Sequence, residues 1–407
     1  MRLAAVAMML AMAVPVFGQQ ATNEIRELDI EHARRLAMQA GPLDLNGLES
    51  LSLGVAEALA QHTGSLKLDG LTTLSPEAAS ALSHHKGDLS FRGLNALSPE
   101  LASALSMTRY TLALDGLTVL SPAVALALVR HNADISLGEL KTLSPEVANS
   151  LATSKSSVFL DGLTTLSPEV AKAFEKHRGE LSLKGLKTLT PEAAEALAKH
   201  RGDLILSGLT TISDEAAEEL GKHKGTLRLD GLLELSDDSA ETLAKHQDFL
   251  SLNGLSAISD EAARSLAKHK GPLNLNRLET LSPRAAEALA KLEWELDVGG
   301  LTTLSDEAAI AIAQHKGYLS VGGLTTLSVQ VAEAFGKHEG SLSIGGLTTV
   351  SVAAAKALTK HKGHLRLRGS PTLSDEAVEV LRTNPDISFH QDGNSLNRGR
   401  RRTPGTL

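Results

Sequence analysis

The sequence contains no cysteine in 407 residues, and only 2% of its residues are aromatic. The absence of cysteine excludes disulfide bonds, thiolate metal ligands, a cysteine nucleophile and a lipid-anchored amino-terminal cysteine. Because aromatic side chains are so scarce, a folded core must be built from Leu and Ala. Apolar residues still make up 42% of the chain, which is normal for a folded protein.

Long apolar runs are absent beyond the amino terminus, which reads MRLAAVAMMLAMAVPVFGQQ. Arg2 gives a short positive segment, residues 3–15 are almost wholly apolar, and the letters VFG fit cleavage after Gly18. This pattern predicts a signal peptide over residues 1–18. An uncleaved membrane anchor is the alternative, although the run is short for a membrane span. We therefore expect an exported protein with no membrane span after cleavage, secreted or held in the periplasm or cell envelope.

Positive charge is not in excess, since the formal net charge is −8. Such an acidic chain argues against nucleic acid as a partner. The last residues, 391–407, carry four Arg and one Asp and are predicted to form a disordered basic tail. Residues 19–23 are expected to be a short lead into the folded region.

The chain contains a long repeat. From Glu24 it divides into sixteen units of 23 residues with the consensus GLTTLS(P/D)EAAxALAKHKGxLxLx. Positions 1–23 are counted within each unit, and the units begin at residues 24, 47, 70, 93, 116, 139, 162, 185, 208, 231, 254, 277, 300, 323, 346 and 369. In the last unit NPDISF places its apolar pair one residue early, as expected of a terminal repeat. The repeat predicts a single solenoid over residues 24–390.

Each unit is predicted to contain one helix and one strand. Ser, Thr or Asp at position 6 is typical of a helix N-cap, and Pro at position 7 suits the first helical residue. Gly at position 18 is expected to end the helix through a positive φ, which gives a helix of about eleven residues over positions 7–17. Apolar positions 20 and 22 predict a short strand with one buried face.

Stacked units of this kind predict an α/β solenoid. We expect a right-handed curved stack of about 16 strand–turn–helix repeats, with a parallel sheet on the concave side and helices on the convex side. No unit buries its apolar face alone, so each must pack on its neighbours. Strands need about 4.8 Å and helices about 8–10 Å of spacing, and this mismatch bends the stack.

The segment LILSGLTTIS and its equivalents resemble the L-x-L-x-x-N/C-x-L core of leucine-rich repeats, and the resemblance covers residues 24–390. The sequence departs from that family where its Asn or Cys is replaced by Leu, as at Leu209, and the next Leu comes one residue late. The turn must then satisfy its backbone through Asp-Gly or Asn-Gly pairs. What the resemblance implies is protein binding on the concave sheet.

Histidine recurs at position 16 and invites several interpretations. The eleven repeated residues are His62, His85, His131, His177, His200, His223, His246, His269, His315, His338 and His361. A catalytic Ser–His pair is disfavoured, because ten residues of helix separate positions 6 and 16 by about 15 Å. A metal ladder lacks Cys and fixed carboxylates, and Lys neighbours oppose it. The favoured interpretation is structural, with each His closing its helix end and stacking on the next ring; a pH-sensitive array remains an alternative.

Units that break the consensus are the candidate binding sites. Units 4–6 (residues 93–161) lack Gly at position 18, and two of them lack His. Aromatic, Arg and Met side chains favour contact surfaces. The alternative is neutral drift in tolerant repeats. The predicted patch is Met107, Arg109, Tyr110, Asn132, Lys155 and Phe159.

Two further irregularities lie towards the carboxyl terminus. Trp294, the single Trp, and Tyr318 in the next unit are a candidate hot spot. Arg366 and Arg368 lie beside His364 and before the Arg tail, which predicts contact with an anionic partner or surface. A charged end-cap is the alternative interpretation of that region.

These observations favour an exported, non-enzymatic repeat scaffold that mediates protein–protein interaction, with no cofactor and no metal. A cell-envelope glycan binder and a self-associating architectural spacer are the alternatives, and an enzyme is the least favoured class. The sequence does not identify the protein partner.

Overall fold

The structure, a computed structural model, describes residues 22–368 and 373–389. The predicted signal peptide (1–18), residues 19–21 of the lead and the predicted basic tail (391–407) lie outside the described residues. Within them, sixteen strands form one parallel sheet whose spatial order is the chain order. No helix in the described ranges is both long and apolar enough to cross a bilayer.

One helix and one strand alternate along the chain. The α-helices are α1 Ile30–Ala37, α2 Leu53–Leu59, α3 Pro76–Leu82, α4 Pro99–Leu105, α5 Pro122–Leu128, α6 Pro145–Leu151, α7 Pro168–Ala173, α8 Pro191–Ala198, α9 Asp214–Leu220, α10 Asp237–Leu243, α11 Asp260–Leu266, α12 Pro283–Leu289, α13 Asp306–Ile312, α14 Val329–Phe335, α15 Val352–Leu358 and α16 Asp375–Arg382. The strands are β1 Leu43–Asp44, β2 Leu66–Lys67, β3 Leu89–Ser90, β4 Leu112–Ala113, β5 Ile135–Ser136, β6 Val158–Phe159, β7 Leu181–Ser182, β8 Leu204–Ile205, β9 Leu227–Arg228, β10 Leu250–Ser251, β11 Leu273–Asn274, β12 Leu296–Asp297, β13 Leu319–Ser320, β14 Leu342–Ile344, β15 Leu365–Leu367 and β16 Ile387–Phe389. Short 3₁₀-helices occupy Thr22–Glu24 and Phe174–Lys176.

The register of the sheet follows the repeat. Leu204 pairs with Leu181 on one side and Leu227 on the other, an offset of one 23-residue unit. At the last strand Ile387 pairs with Leu365, an offset of 22, which confirms the predicted slip. The stack is right-handed, with the sheet on its concave side and the helices on its convex side, and the sheet does not close on itself.

Helix starts match the prediction. Each of the sixteen α-helices in the described residues has Ser, Thr or Asp at its N-cap, and the side-chain oxygen accepts a hydrogen bond from a backbone N–H of the first turn. In α9, the amide of Ala216 donates to Ser213 Oγ at 3.2 Å. The repeated Ser is therefore a structural cap.

Helix ends differ from the prediction. Most helices span seven residues, positions 7–13, instead of the expected eleven over positions 7–17. After α9, the amides of Lys222 and His223 donate to Glu219 O and Leu220 O, both at 3.0 Å, which is the tighter i→i−3 pattern. The chain must leave the helix early because about five more residues carry it back to the sheet within one unit. The His at position 16 consequently lies beyond the helix.

The core is continuous along the solenoid and consists of Leu and Ala, as the composition required. In unit 8, Ala193, Ala194, Leu197, Leu204 and Leu206 are each 0% exposed. The Ala pair lets the helix approach the sheet closely, and the Leu side chains fill the space between the layers.

Gly at position 18 is required for a different reason from the one predicted. Among the described residues, only Gly41, Gly64 and Gly225 have positive φ. At Gly202, a Cβ would lie 2.0 Å from the carbonyl oxygen of Gly179 in the preceding unit. The glycine therefore permits close contact between successive backbones, and it does not terminate a helix.

Candidate functional site

The two edges of the solenoid carry different chemistry. We call the edge formed by positions 15–19, where helices end and strands begin, the His rim. The opposite edge, formed by positions 4–8 and containing the N-caps, is the Ser rim. Since the repeated Ser and His lie at opposite ends of a helix, they do not form a nucleophile–base pair.

The repeated histidines bind the preceding unit. His200 Nδ1 lies 3.3 Å from Phe174 O, and His338 Nδ1 lies 3.1 Å from Ala313 O. A carbonyl only accepts, so these ring nitrogens donate. The expectation that each His closes its own helix end was wrong, because the short helix leaves the His facing the carbonyl end of the helix before it.

The imidazole rings also stack in rows. The ring centroids of His177 and His200 are 5.4 Å apart, and those of His200 and His223 are 6.0 Å apart with an interplanar angle of 3°. The row breaks at Leu292, which replaces His in unit 12 and is buried at 5% exposure. In the described part of unit 16, Asn384 occupies the same position, and its Nδ2 donates to Thr359 O at 3.0 Å and His361 O at 2.9 Å.

Burial favours the neutral form of His177 and His223. Burial lowers the pKa of His223 to about 4, with the charges of the stacked His200 and His246 acting in the same direction. Burial is also the largest cause that lowers the pKa of His177, although the Ser154 carbonyl opposes it. No group of three or more His, Cys, Asp or Glu side chains in the described ranges is arranged to hold a metal ion. The rings of the array pack the units against one another.

A side-chain ladder also joins the turns of adjacent units. Asp69 Oδ1 accepts from Ser90 Oγ at 2.5 Å and from the amide of Arg92 at 3.0 Å. Asp161 Oδ1 accepts equivalently from Ser182 Oγ at 2.5 Å and the amide of Lys184 at 3.1 Å. The Asp of the Asp-Gly pair thus satisfies the backbone of the following unit, where the sequence led us to expect a purely local turn.

The His rim opens into a groove where the repeat is irregular. This rim groove has a volume of about 380 Å³ and lies across units 3–7. It brings together four of the residues predicted from the sequence, Arg109, Tyr110, Asn132 and Lys155. The groove is lined by Asp88, Arg109, Tyr110, Thr111, Asn132, Ala133, Asp134, Lys155, Ser156, Ser157 and Gly179.

The groove has a local cause. Tyr110, Ala133 and Ser156 occupy position 18, where regular units have Gly because a Cβ meets the preceding backbone. Thr108 and Ser154 replace the large imidazole in the same region and are buried, at 4% exposure each. In these units, larger side chains at position 18 and smaller side chains at position 16 therefore change the surface of the His rim.

The polar groups of the groove differ in whether they already have a partner within the molecule. Asp88 Oδ1 accepts from the Thr111 amide at 3.1 Å, and Asp134 Oδ1 accepts from the Ser157 amide at 3.0 Å. These carboxylates stabilise the turns, and sequence reasoning missed them although both stand at position 19. Arg109 has no carboxylate within 4.0 Å among the described residues, and Tyr110 is 44% exposed. Cationic and aromatic groups are thus available to a partner.

The structure separates the other two residues of the predicted patch from the groove lining. Met107 is 62% exposed on the same rim. Phe159 lies in β6, between Ser136 and Ser182 of the neighbouring strands, and faces the sheet surface.

The later candidates lie in distinct places. Trp294 occupies position 18 on the His rim, is 46% exposed, and its Nε1 donates to Lys270 O at 2.5 Å. Tyr318 lies half-buried in the next unit. Arg366 in β15 and the following Arg368 are exposed, so the basic end predicted from the sequence lies partly on the sheet surface.

Comparisons with known proteins agree with a repeat fold. No model of a protein family matches the chain, and no curated protein matches it in sequence. A leucine-rich-repeat protein of Leptospira interrogans is 22% identical, with 90% of this chain and 99% of that chain covered, at a TM-score of 0.45. A chain of the Toll–Spatzle complex of Drosophila is 13% identical, with 84% and 50% covered, at a TM-score of 0.48.

An internalin of Listeria monocytogenes is 13% identical, with 89% of this chain and 90% of that chain covered, at a TM-score of 0.32. The assignment of the fold depends on this chain's own strands. Sixteen parallel strands with an L-x-L core, joined by helices at a 23-residue period, form a leucine-rich-repeat solenoid. The resemblance stated from the sequence is confirmed at the level of the fold.

Proposed function

We propose that the protein is an exported, non-enzymatic scaffold that binds a protein partner at the rim groove. Export is supported by the sequence of residues 1–18 alone. The repeat architecture supports a binding role, since each unit adds surface to a rigid array and creates no assembled catalytic group.

The observation that carries this proposal is the coincidence of the groove with the irregular units. In regular units the His rim is sealed by stacked rings and by backbone contact at Gly, as at Gly202. Units 4–6 lack both the ring stack and the Gly contact, and the exposed Tyr110 replaces Gly beside Arg109. Tyr and Arg are the side chains most often found at the centres of binding surfaces.

The test is affinity capture from the native cell-envelope fraction with immobilised protein. A variant carrying Arg109→Ala and Tyr110→Ala is compared with a control carrying Gln314→Ala and Lys337→Ala, which alters the same rim in regular units. We expect at least one protein to be retained by wild type and by the control and to be lost from the groove variant. Equal retention by all three proteins would assign the interaction to another surface and refute the proposal.

A further inference from the structure

Unpaired cations follow one another along the His rim. Position 17 carries an exposed Lys155, Arg178, Arg201 and Lys224 in the consecutive units 6–9. No carboxylate lies within 4.0 Å of any of these four cations among the described residues. Their spacing follows the repeat, which on this rim separates the stacked rings of His177 and His200 by 5.4 Å.

Carboxylates follow one another along the Ser rim in the same way. Position 8 carries an exposed Glu146, Glu169, Glu192 and Glu215 in units 6–9. These groups also lack a Lys or Arg nitrogen within 4.0 Å among the described residues. Each of these units therefore presents a positive charge at one rim and a negative charge at the other.

Three units that depart from the consensus charges preserve this correspondence. Unit 12 reverses both signs, with Glu293 at position 17 and Arg284 at position 8. Units 2 and 5 lose both charges together, with Thr63 and Gly54 in unit 2 and the equivalent neutral pair in unit 5. Units 1, 10, 14, 15 and 16 depart, since only one of their two positions is charged.

Contacts within one molecule explain only part of this charge pattern: Glu293 lies 3.6 Å from Lys270 of the preceding unit, but no ion pair joins position 8 to position 17 among the described residues. Position 8 lies in the first turn of a seven-residue helix about 10 Å long, position 17 lies beyond its other end, and the two charged groups are on opposite edges. At physiological ionic strength the screening length is about 8 Å, so the two rows interact weakly across the unit. In the units where positions 8 and 17 match, the match therefore points to a contact outside the unit.

We propose that the Ser rim of one copy binds the His rim of a second copy in register. A copy translated along the strand direction has the same pitch and the same curvature, so position 8 of every unit faces position 17 of the same unit. The reversed pair, Arg284 and Glu293, then also meets an opposite charge. Because the two surfaces differ, the contact is heterologous and propagates into open stacks of copies.

A second copy is the favoured partner for the His rim, because a polymer with charge of a single sign would not match the reversed charge at position 17 of unit 12. A polyanion would be attracted to Arg201 but repelled at Glu293, and the formal net charge of −8 disfavours it further. The contact depends on the whole row, since individual exposed ion pairs contribute little.

Charge reversal tests the proposal. One variant carries Arg178→Glu, Arg201→Glu and Lys224→Glu, so both of its rims are acidic. A second variant carries Glu169→Lys, Glu192→Lys and Glu215→Lys, so both of its rims are basic. A control of equal charge change on the convex helices carries Lys172→Glu, Arg264→Glu and Lys356→Glu.

In sedimentation velocity at 20 mM salt, we expect wild type and the control to assemble as concentration rises and to dissociate at 500 mM salt. Each rim variant alone should stay monomeric, and the mixture of the two should assemble. Circular dichroism checks that all variants fold. Monomeric wild type at low salt, unchanged assembly of a folded rim variant, or a folded mixture that stays monomeric would each overturn the proposal.

The register between two copies is tested by disulfide crosslinking. Because the chain contains no cysteine, a disulfide can form only between the residues that are introduced. A protein with Arg201→Cys is mixed at 20 mM salt with one carrying Glu192→Cys, which lies in the same unit, and separately with one carrying Glu261→Cys, three units away. Mild oxidation should give at least tenfold more mixed dimer with Glu192→Cys. Equal yields from the two mixtures would exclude an in-register stack.

Discussion

Lowering the pH is expected to destabilise the solenoid through its buried histidines, and His223 allows the effect to be calculated. The side chain is 2% exposed, and burial lowers its pKa from 6.5 to about 4. The unfolded chain therefore takes up a proton near pH 6.5 that the folded chain refuses until about pH 4. Stability is complete above pH 6.5 and is lost as the pH falls through this window.

The size of the loss follows from the same values. One pKa unit corresponds to about 1.4 kcal/mol, so the full window of His223 amounts to about 3 kcal/mol, of which about 2 kcal/mol is lost by pH 5. Burial also lowers the pKa of His177 and His200, with the same sign, so the whole array should lose more than a single site.

The matched variant is His223→Asn, since the chain itself places Asn384 at this position in unit 16. Urea unfolding of wild type and variant is measured by circular dichroism at pH 7.5 and pH 5.0. We expect the free energy of unfolding of the variant to fall by about 2 kcal/mol less than that of wild type between these pH values. Gln314→Ala, which removes no titratable group from the same rim, should leave the pH dependence of wild type unchanged. The reasoning fails if His223→Asn loses as much stability as wild type, or if wild type loses none.

Three further predictions concern the unit itself, each measured as the midpoint of urea unfolding at pH 7.5. Gly202→Ala should destabilise the protein by about 1–3 kcal/mol, because the new Cβ would lie 2.0 Å from Gly179 O. Gly322→Ala is the control and should be tolerated, because the nearest atom to its Cβ would be 3.7 Å away. Ser213→Ala removes an N-cap and should cost about 1 kcal/mol; no change would show that the cap contributes nothing. Leu197→Ala should cost about 2–5 kcal/mol, and a smaller loss would show that the core closes around the cavity.

The features that were predictable from the sequence are those set by local chemistry. Ser213 and its equivalents mark helix starts because a hydroxyl at that position satisfies first-turn amides. Leu227 and Leu229 mark a half-buried strand because they alternate with the exposed Arg228. Even the slip at Ile387 was visible, since one residue is missing from the spacing.

The features that were missed depend on contacts between units. The partner of His200, Phe174 O, lies 26 residues away, and no local pattern reveals which helix end it faces. The helix length was overestimated because residues that follow the helix, such as Lys199, are good helix formers, yet the chain must turn back to reach the next strand. In the groove, Arg109 and Tyr110 were recognised as unusual residues, while Asp88 and Asp134 looked like ordinary consensus variation until the stack placed them beside the cations.

The contacts that join the units have a consequence for the length of the molecule. Strand pairs, histidine bonds and turn ladders all connect a unit with the one next to it, and each repeats at the same period. Excision of residues 185–207 would place Lys184 before Gly208 and offer each neighbour a substitute of the same shape. The number of units can therefore change in such a chain. Duplication or deletion of whole units would lengthen or shorten the arc without changing any contact between units. Only the charge pattern of the rims would have to stay matched between the copies that bind each other.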